Sequence, residues 1–326
     1  MELDSLEARS WISAKLDCPQ DAITLTPLGG GVSNHVILVE APGLRCVFKQ
    51  ALEKLRVEQD WRSGRDRIFR ECAVLRAVRG ILPPGAVPRV LLEAPEHFTF
   101  AMEVAPADAQ PWKSPLLAGE VRLEWAEMAG HLLGTWIRES VGRPDWRAEF
   151  AGLTVFGELR VDPYYRTTAA RHPELARHFA SLIDECVNRR FSLVHGDFSP
   201  KNLLISSQGM MVIDWEVVHW GDPSFDAAFL TNHLLLKAFH RPAEWRQYQL
   251  AATSFWRALC AVVEPEWLPP AAMRHLGCLL LARVDGKSPA EYIQTEALRQ
   301  RVRAAAIDLI HRPAANAAEA FERAFS

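Results

Sequence analysis

Nothing in this 326-residue chain approaches the run of about 20 apolar residues that a bilayer-spanning helix needs, so no membrane partner is expected. An excess of one charge sign is also missing. Lys and Arg total 37 and Asp and Glu total 40, a formal net charge of −3. That balance gives no reason to expect nucleic acid or an anionic surface as a partner. The opening Met1-Glu2-Leu3-Asp4-Ser5-Leu6-Glu7 is acidic and amphipathic, without the basic-then-apolar pattern of a signal peptide. Only six cysteines occur, at 18, 46, 72, 186, 260 and 278. They form no C-x-x-C pair, and none has a histidine at zinc-ligand spacing. A cytoplasmic location, with most thiols acting as small buried hydrophobes, is the expectation. There is no internal repeat and no low-complexity tract.

What is present is material for a core: 49% hydrophobic and 24% charged residues, a globular balance. Eleven tryptophans stand out, and Trp125 and Trp136, three helical turns apart, read as core positions. Residues 3–16 pattern as an amphipathic helix. Strand-like runs follow at 22–28, 36–40 and 44–50, then a helix at 67–79 and strands at 89–93 and 98–103. Residues 106–115 lack periodicity and read as a connector. Beyond them the pattern is helical at 120–139, 173–189, 225–239, 243–263, 270–283 and 289–310. Short strand runs at 192–194, 203–205 and 210–213 interrupt it. The expected fold class is α+β: a small β-rich lobe over 1–105 and a larger, mostly helical lobe over 106–326, with a nucleotide cleft between them.

The densest chemistry lies in that interruption. His195-Gly196-Asp197-Phe198-Ser199-Pro200-Lys201-Asn202 is followed by Val212-Ile213-Asp214-Trp215-Glu216. Asp197 could accept the proton of a hydroxyl attacking a γ-phosphorus. Asn202 and Asp214 offer the hard oxygen ligands that Mg²⁺ prefers, and Glu216 could reach a second ion directly or through water. Either fragment alone is compatible with a hairpin carrying turn-forming Asp and Asn. Both together, in this order and spacing, point to phosphoryl transfer. His195 reads as an orienting, hydrogen-bonded core residue rather than a base. Asp222 and Asp226 read as structural, the first a turn or helix cap and the second a partner for the catalytic-loop backbone.

In the first lobe, Gly29-Gly30-Gly31 with Ser33 and Asn34 forms a turn between strands whose amides could cradle phosphates. A flexible hairpin explains that turn equally well. Lys49, in the apolar strand Cys46-Val47-Phe48-Lys49, could pair with the α/β-phosphates, and Glu71 on the next helix is its natural partner. Met102, Glu103 and Val104 end the last strand of that lobe, where a hinge would meet an adenine ring.

These motifs resemble the aminoglycoside phosphotransferase / choline kinase superfamily, the small-molecule branch of the protein-kinase-like fold. The resemblance runs from the glycine turn to the helices past 283. It implies ATP and Mg as cofactors, Asp197 as catalytic base, Asn202 and Asp214 as metal ligands and Lys49 as the phosphate-binding lysine. A narrower similarity to methylthioribose kinases covers Phe48-Lys49-Gln50-Ala51-Leu52, Leu55-Arg56-Val57, Trp61, Arg67 and Glu71, then Asp162-Pro163-Tyr164 and the run 225–236. That family has serine in place of Asn202 and D-P-E in place of Asp214-Trp215-Glu216. It has paired arginines in a late helix where this chain has Arg283 alone. Arg283 is therefore a candidate substrate residue. Many superfamily members also carry histidine where Ser199 stands here.

The expected activity is transfer of phosphate from ATP to a hydroxyl of a small molecule, sugar-like or an amino alcohol. The alternatives are an aminoglycoside-modifying enzyme and, from another class, a regulatory nucleotide-binding pseudokinase. Arg160, Arg166, Arg171, Arg177 and Arg283 on the substrate side lean toward a neutral or anionic acceptor, unless they are simply solvated helix charges.

Overall fold

In a computed structural model, which describes residues 2–3, 5–29, 31–56, 61–264 and 266–326, period-two alternation builds an antiparallel sheet near the start of the chain. Its strands are β1 (Thr24–Pro27), β2 (Asn34–Ala41), β3 (Leu44–Ala51), β4 (Val90–Ala94) and β5 (Thr99–Glu103), in the order β1-β2-β3-β5-β4. This sheet belongs to the first of two units into which the chain divides, Met1–Ala107 and Asp108–Ser326. One face carries Ile37, Val39, Cys46, Phe48 and Ala101. They pack with Ile12 of the helix Leu6–Leu16 and with Leu3 and Ile23 to form a closed apolar core. Alternation then sends Lys49 to the face opposite Phe48, where it meets the helix Arg67–Arg79.

The second unit is mostly helical. The helices Leu123–Ser140 and Trp245–Val262 pack along each other. Their approach is close because Gly130 has no side chain: a Cβ there would fall on the carbonyl oxygen of Phe255. The helix Ser224–His240 is buried from Ser224 to Phe239, so it is enclosed on every side. Trp136 is fully buried, whereas Trp125 is only half-buried and lies under the guanidinium of Arg122.

Five short strands serve this unit. They are β6 (Gln110–Pro111), β7 (Ser192–Val194), β8 (Leu203–Ser206), β9 (Gly209–Val212) and β10 (His219–Gly221). β7 does not pair with β8. It pairs with β10, while β8 lies between β6 and β9. The loop 195–202 therefore bridges two separate small sheets and is not a hairpin turn. The stretch read as a connector supplies β6 and the short helix Lys113–Ala118. The last long helix begins at Glu296, not at 289. Residues 289–295 instead form turns, in which Ala290 N–H donates to Arg283 O (2.8 Å), and Thr295 caps the helix by accepting from Leu298 N–H at 3.3 Å. Gly157–Arg166 winds as a π-helical stretch with Pro163 inside it, a feature with no periodic signal in the sequence. Among the described residues no helix is long and apolar enough to cross a membrane.

Candidate active site

The loop 195–202 is held from below by one carboxylate. Asp226, fully buried on the helix Ser224–His240, accepts from the N–H of His195 (2.6 Å) through Oδ2 and from the N–H of Gly196 (2.9 Å) through Oδ1. Gly196 sits at φ +78°, and a Cβ there would lie 2.7 Å from Cγ1 of Val217, so only glycine fits this turn. His195 is fully buried. Its Nδ1 accepts from Asp197 N–H (3.1 Å) and its Nε2 bonds Ile213 O (3.1 Å), which fixes the neutral tautomer. Burial pushes its pKa down to about 4, so it stays uncharged and orienting at neutral pH. Trp215, at 4.5 Å between ring centroids, and Trp136 close over it.

This scaffold presents Asp197. Its Oδ2 lies 2.8 Å from Arg160 Nη2 and 2.8 Å from Lys201 Nζ. The Arg160 side chain is 10% exposed and that of Lys201 45%, so Arg160 is the stronger, less screened partner. Arg160 also donates from Nε to Gly196 O at 2.6 Å, which ties it to the loop backbone. Burial alone would raise the Asp197 pKa, but Arg160 and then Lys201 outweigh it and hold the carboxyl below the usual range. The group is thus anionic across neutral pH. It is suited to accepting a hydrogen bond from an alcohol and taking its proton late, and it is a poor base toward a free alcohol.

Asn202 and Asp214 sit on neighbouring loops that are tied together. Ile213 N–H donates to Asn202 O at 3.0 Å, and Asn202 Nδ2 donates to Asp197 O at 3.0 Å. The second bond uses the nitrogen end of the amide and leaves Oδ1 as the end that could face a metal. Asp214 takes φ +67°, a left-handed conformation that few side chains other than Asn and Asp adopt. Glu216 is buried two residues on, and the charges of both Asp214 and Glu216 reach Arg160. A neutral amide oxygen with carboxylates is a donor set that fits magnesium. Among the described residues no cluster of three or more His, Cys, Asp or Glu could cage a metal. An ion here would complete its shell with water and phosphate, as Mg²⁺ usually does.

In the first unit, Lys49 Nζ lies 2.6 Å from Glu71 Oε2, with both side chains at most 5% exposed. Removing one partner from such a buried pair leaves a desolvated charge. Glu71→Ala is therefore expected to cost about 3–5 kcal/mol of stability and to weaken ATP binding, read by denaturant titration and by isothermal calorimetry. Ser33 and Asn34 are buried beside one another, with Asn34 Nδ2 donating to Ser33 Oγ at 3.0 Å. Arg67 organises this corner. It is 1% exposed and donates to the carbonyls of Ser33, Leu52, Ser63 and Gly64.

The glycine turn is less defined. Gly29 is not at positive φ, and a Cβ at either Gly29 or Gly31 would meet nothing closer than 3.9 Å among the described residues, so packing does not require glycine there. Gly30, like Val57, lies outside the described residues. Met102 is in β5 opposite Val47 and Val90. Glu103 N–H donates to Arg89 O at 2.9 Å, so that amide is engaged within the unit and is not the one a base would take. Val104 follows the strand and is half-buried.

Arg283 is buried, not solvated. Its Nη1 donates to Tyr164 OH (3.2 Å), to Ser288 Oγ (2.8 Å) and to Ser288 O. Arg160 and Lys201 are the side chains paired with Asp197 that the sequence did not single out as its partners. Lys201 was visible at i+4 from Asp197, but Arg160 is 37 residues upstream with no spacing to betray it.

A model of the phosphotransferase enzyme family (APH) matches residues 24–261, and the chain belongs to that family. It is 26% identical over 267 residues to methylthioribose kinase 2 of Oryza sativa subsp. japonica, covering 72% of this chain. The match spans 61% of that relative, less than two thirds of its length. Two solved structures share the fold. The gentamicin–APH(2″)-IIa complex aligns with a TM-score of 0.53 at 13% identity over 98% of this chain and 99% of that one. Amicoumacin kinase hAmiN, in complex with AMP-PNP, Ca²⁺ and Ami, aligns with a TM-score of 0.53 at 15% identity over 94% and 96%. The fold is thus kinase-like and α+β, with a β-sheet N-terminal region and a largely helical C-terminal region.

Proposed function

We propose that this chain is an ATP- and magnesium-dependent kinase that phosphorylates a hydroxyl of a small, sugar-like molecule. The observation that carries the reading is the Asp197 carboxylate, buried, held ionised by Arg160 and Lys201, on a loop pinned by Asp226. Lys49, steadied by Glu71, takes the α/β-phosphates. Asn202 and Asp214 would hold the metal, with Glu216 beside them. When bound, magnesium supplies charge neutralisation on the phosphoryl oxygens. Asp197 orients the acceptor hydroxyl and receives its proton as the new P–O bond forms, while ADP leaves with the electrons of the broken one. Positioning and electrostatics supply most of the acceleration in such a transfer. A complete set of lysine, base and metal ligands supports turnover over a purely regulatory role.

The relative named a methylthioribose kinase supports a sugar-like acceptor, and Asn202 and Trp215 mark where this chain departs from that family's pattern. A polycationic aminoglycoside is disfavoured, because Arg160 and Lys201 flank Asp197, its charge reaches Arg283, and Lys201, Lys237 and Arg283 share the surroundings of His233. Incubation with ATP, Mg²⁺ and a panel of sugars, amino alcohols and aminoglycosides, read by mass spectrometry, tests the reading. Phosphorylation of a sugar-like compound is expected. Transfer only to aminoglycosides would refute the acceptor class.

A further inference from the structure

One stripe of the buried helix Ser224–His240 runs Asp226, Phe229, His233, Lys237, at spacings of three and four that align on one face. Its first residue anchors the catalytic loop. Its last, Lys237, is 1% exposed, yet among the described residues no carboxylate lies within ion-pair distance of its ammonium. Nζ has only the carbonyl of His233 at 3.3 Å and the ring of Tyr292 at 5.3 Å. Arg283, whose guanidinium carbon lies 5.8 Å from the Tyr164 ring, is likewise buried with no carboxylate at ion-pair distance among the described residues, and its Nε has no hydrogen-bond partner among them. The hydroxyl of Tyr292, 9% exposed, is also unpartnered. The same cluster reaches the catalytic centre: Arg160, ion-paired to Asp197, lies 5.9 Å from the Tyr164 ring, and the Asp197 charge acts on Arg283.

Burying the Lys237 ammonium without a paired carboxylate is costly unless something supplies the missing anion, whereas Arg283 already feels the charges of Glu291 and Asp197. Around Lys237 the charged neighbours are Lys113, Arg283 and one acid, Glu291, which is ion-paired to Lys113. Neutral His233 and Tyr292 complete the surroundings. We infer that the acceptor of this kinase carries an anionic group, a carboxylate or a phosphate, bound by Lys237, Arg283 and the Tyr292 hydroxyl, while its alcohol lies at Asp197. The inference rests on the kinase reading for the alcohol but not for the anion site. Burial, reinforced by Lys113 and Arg283, brings the Lys237 pKa down to about 7. An anion bound there restores its charge, so anion affinity falls as pH rises above 7.

The test compares ribose, ribonate and ribose 5-phosphate, and glycerol, glycerate and glycerol 3-phosphate. Each compound is measured for phosphorylation by ATP and for the shift in melting temperature it gives without ATP. At least one anion is expected to be phosphorylated with a kcat/KM about 10- to 100-fold above its neutral parent, the effect of one charge-assisted hydrogen bond. The carboxylate and phosphate arms decide between the two sources. Lys237→Met should abolish the anion-induced stabilisation and that preference while leaving ATP affinity unchanged. The unliganded variant should melt above the wild type near pH 6, a gain that shrinks toward pH 10 as wild-type Lys237 loses its disadvantage. Neutral parents preferred, or an anion response that survives in Lys237→Met, would overturn the anion site and leave the kinase reading standing. Anion binding lost in Lys237→Met, with no phosphorylation of these compounds or of any acceptor in the wider panel, would keep the site and overturn the kinase reading.

Discussion

Asp197→Asn should lower phosphoryl transfer by about a thousandfold, the range expected for losing one positioned proton acceptor. The asparagine keeps the shape and can still accept one hydrogen bond, but it cannot take the hydroxyl proton. It also leaves Arg160 buried beside a neutral group, since the Asp197 oxygen that it pairs at 2.8 Å is gone as a charge. Stability is therefore expected to fall by up to about 3 kcal/mol, less than deletion of a wholly buried partner because Lys201 is solvated. ATP affinity, measured by calorimetry on the same preparation, should change little, because nucleotide contacts are assigned to Lys49, Asn202 and Asp214. A parallel loss of ATP binding and turnover would instead mean that the loop itself had collapsed.

The second large effect concerns Asp226. Its two oxygens satisfy the amides of His195 and Gly196, so Asp226→Ala strands two buried donors at about 1–3 kcal/mol each and frees the catalytic loop. A loss of several kcal/mol of stability and of nearly all turnover is expected, read by urea denaturation and by the transfer assay. Asp226→Asn separates the two consequences. Burial raises the Asp226 pKa to about 7 from the ordinary carboxylate range, an effect that its backbone hydrogen bonds only partly offset. The folded state thus binds the proton more tightly than the unfolded chain. Its contribution to stability is fully present below the unfolded pKa, declines as pH rises toward 7, and is flat above that. The permanently neutral asparagine removes that slope. Its NH₂ must also face one of the two amide donors, so it is less stable than the wild type at pH 5. A wild-type protein whose stability is level from pH 5 to 7 would contradict this account of Asp226.

Much of this was legible in advance, for reasons that differ by element. The helix Arg67–Arg79 shows its bounds in the sequence because its apolar residues keep strict period and its glycine stop is local. The strands β2 and β3 show as short apolar runs separated by the turn Ala41-Pro42-Gly43. Residues 195–202 and 214–216 stand out in the sequence because their Asp, Asn and Asp fall at short spacing, and the structure brings these residues onto neighbouring, bonded loops. What stayed hidden depends on contacts between distant residues. That β7 pairs with β10 and not with β8 is set by partners 25 or more residues apart in sequence, which no local pattern reports. The π-helical turn that carries Arg160 to Asp197 has no period of its own. Lys237 reads in the sequence as an ordinary charge near the end of a helix, and only burial on all sides makes it informative.

The most direct test of the central claim is a metabolite-pool incubation with ATP and Mg²⁺, run in parallel for wild type and Asp197→Asn and read by mass spectrometry together with ADP release. The account predicts one or more hydroxyl compounds gaining a phosphoryl group, with ADP formed in equal amount, in the wild type alone. Transfer at wild-type rate by Asp197→Asn would contradict it, as would nucleotide binding with no phosphorylated product from any acceptor.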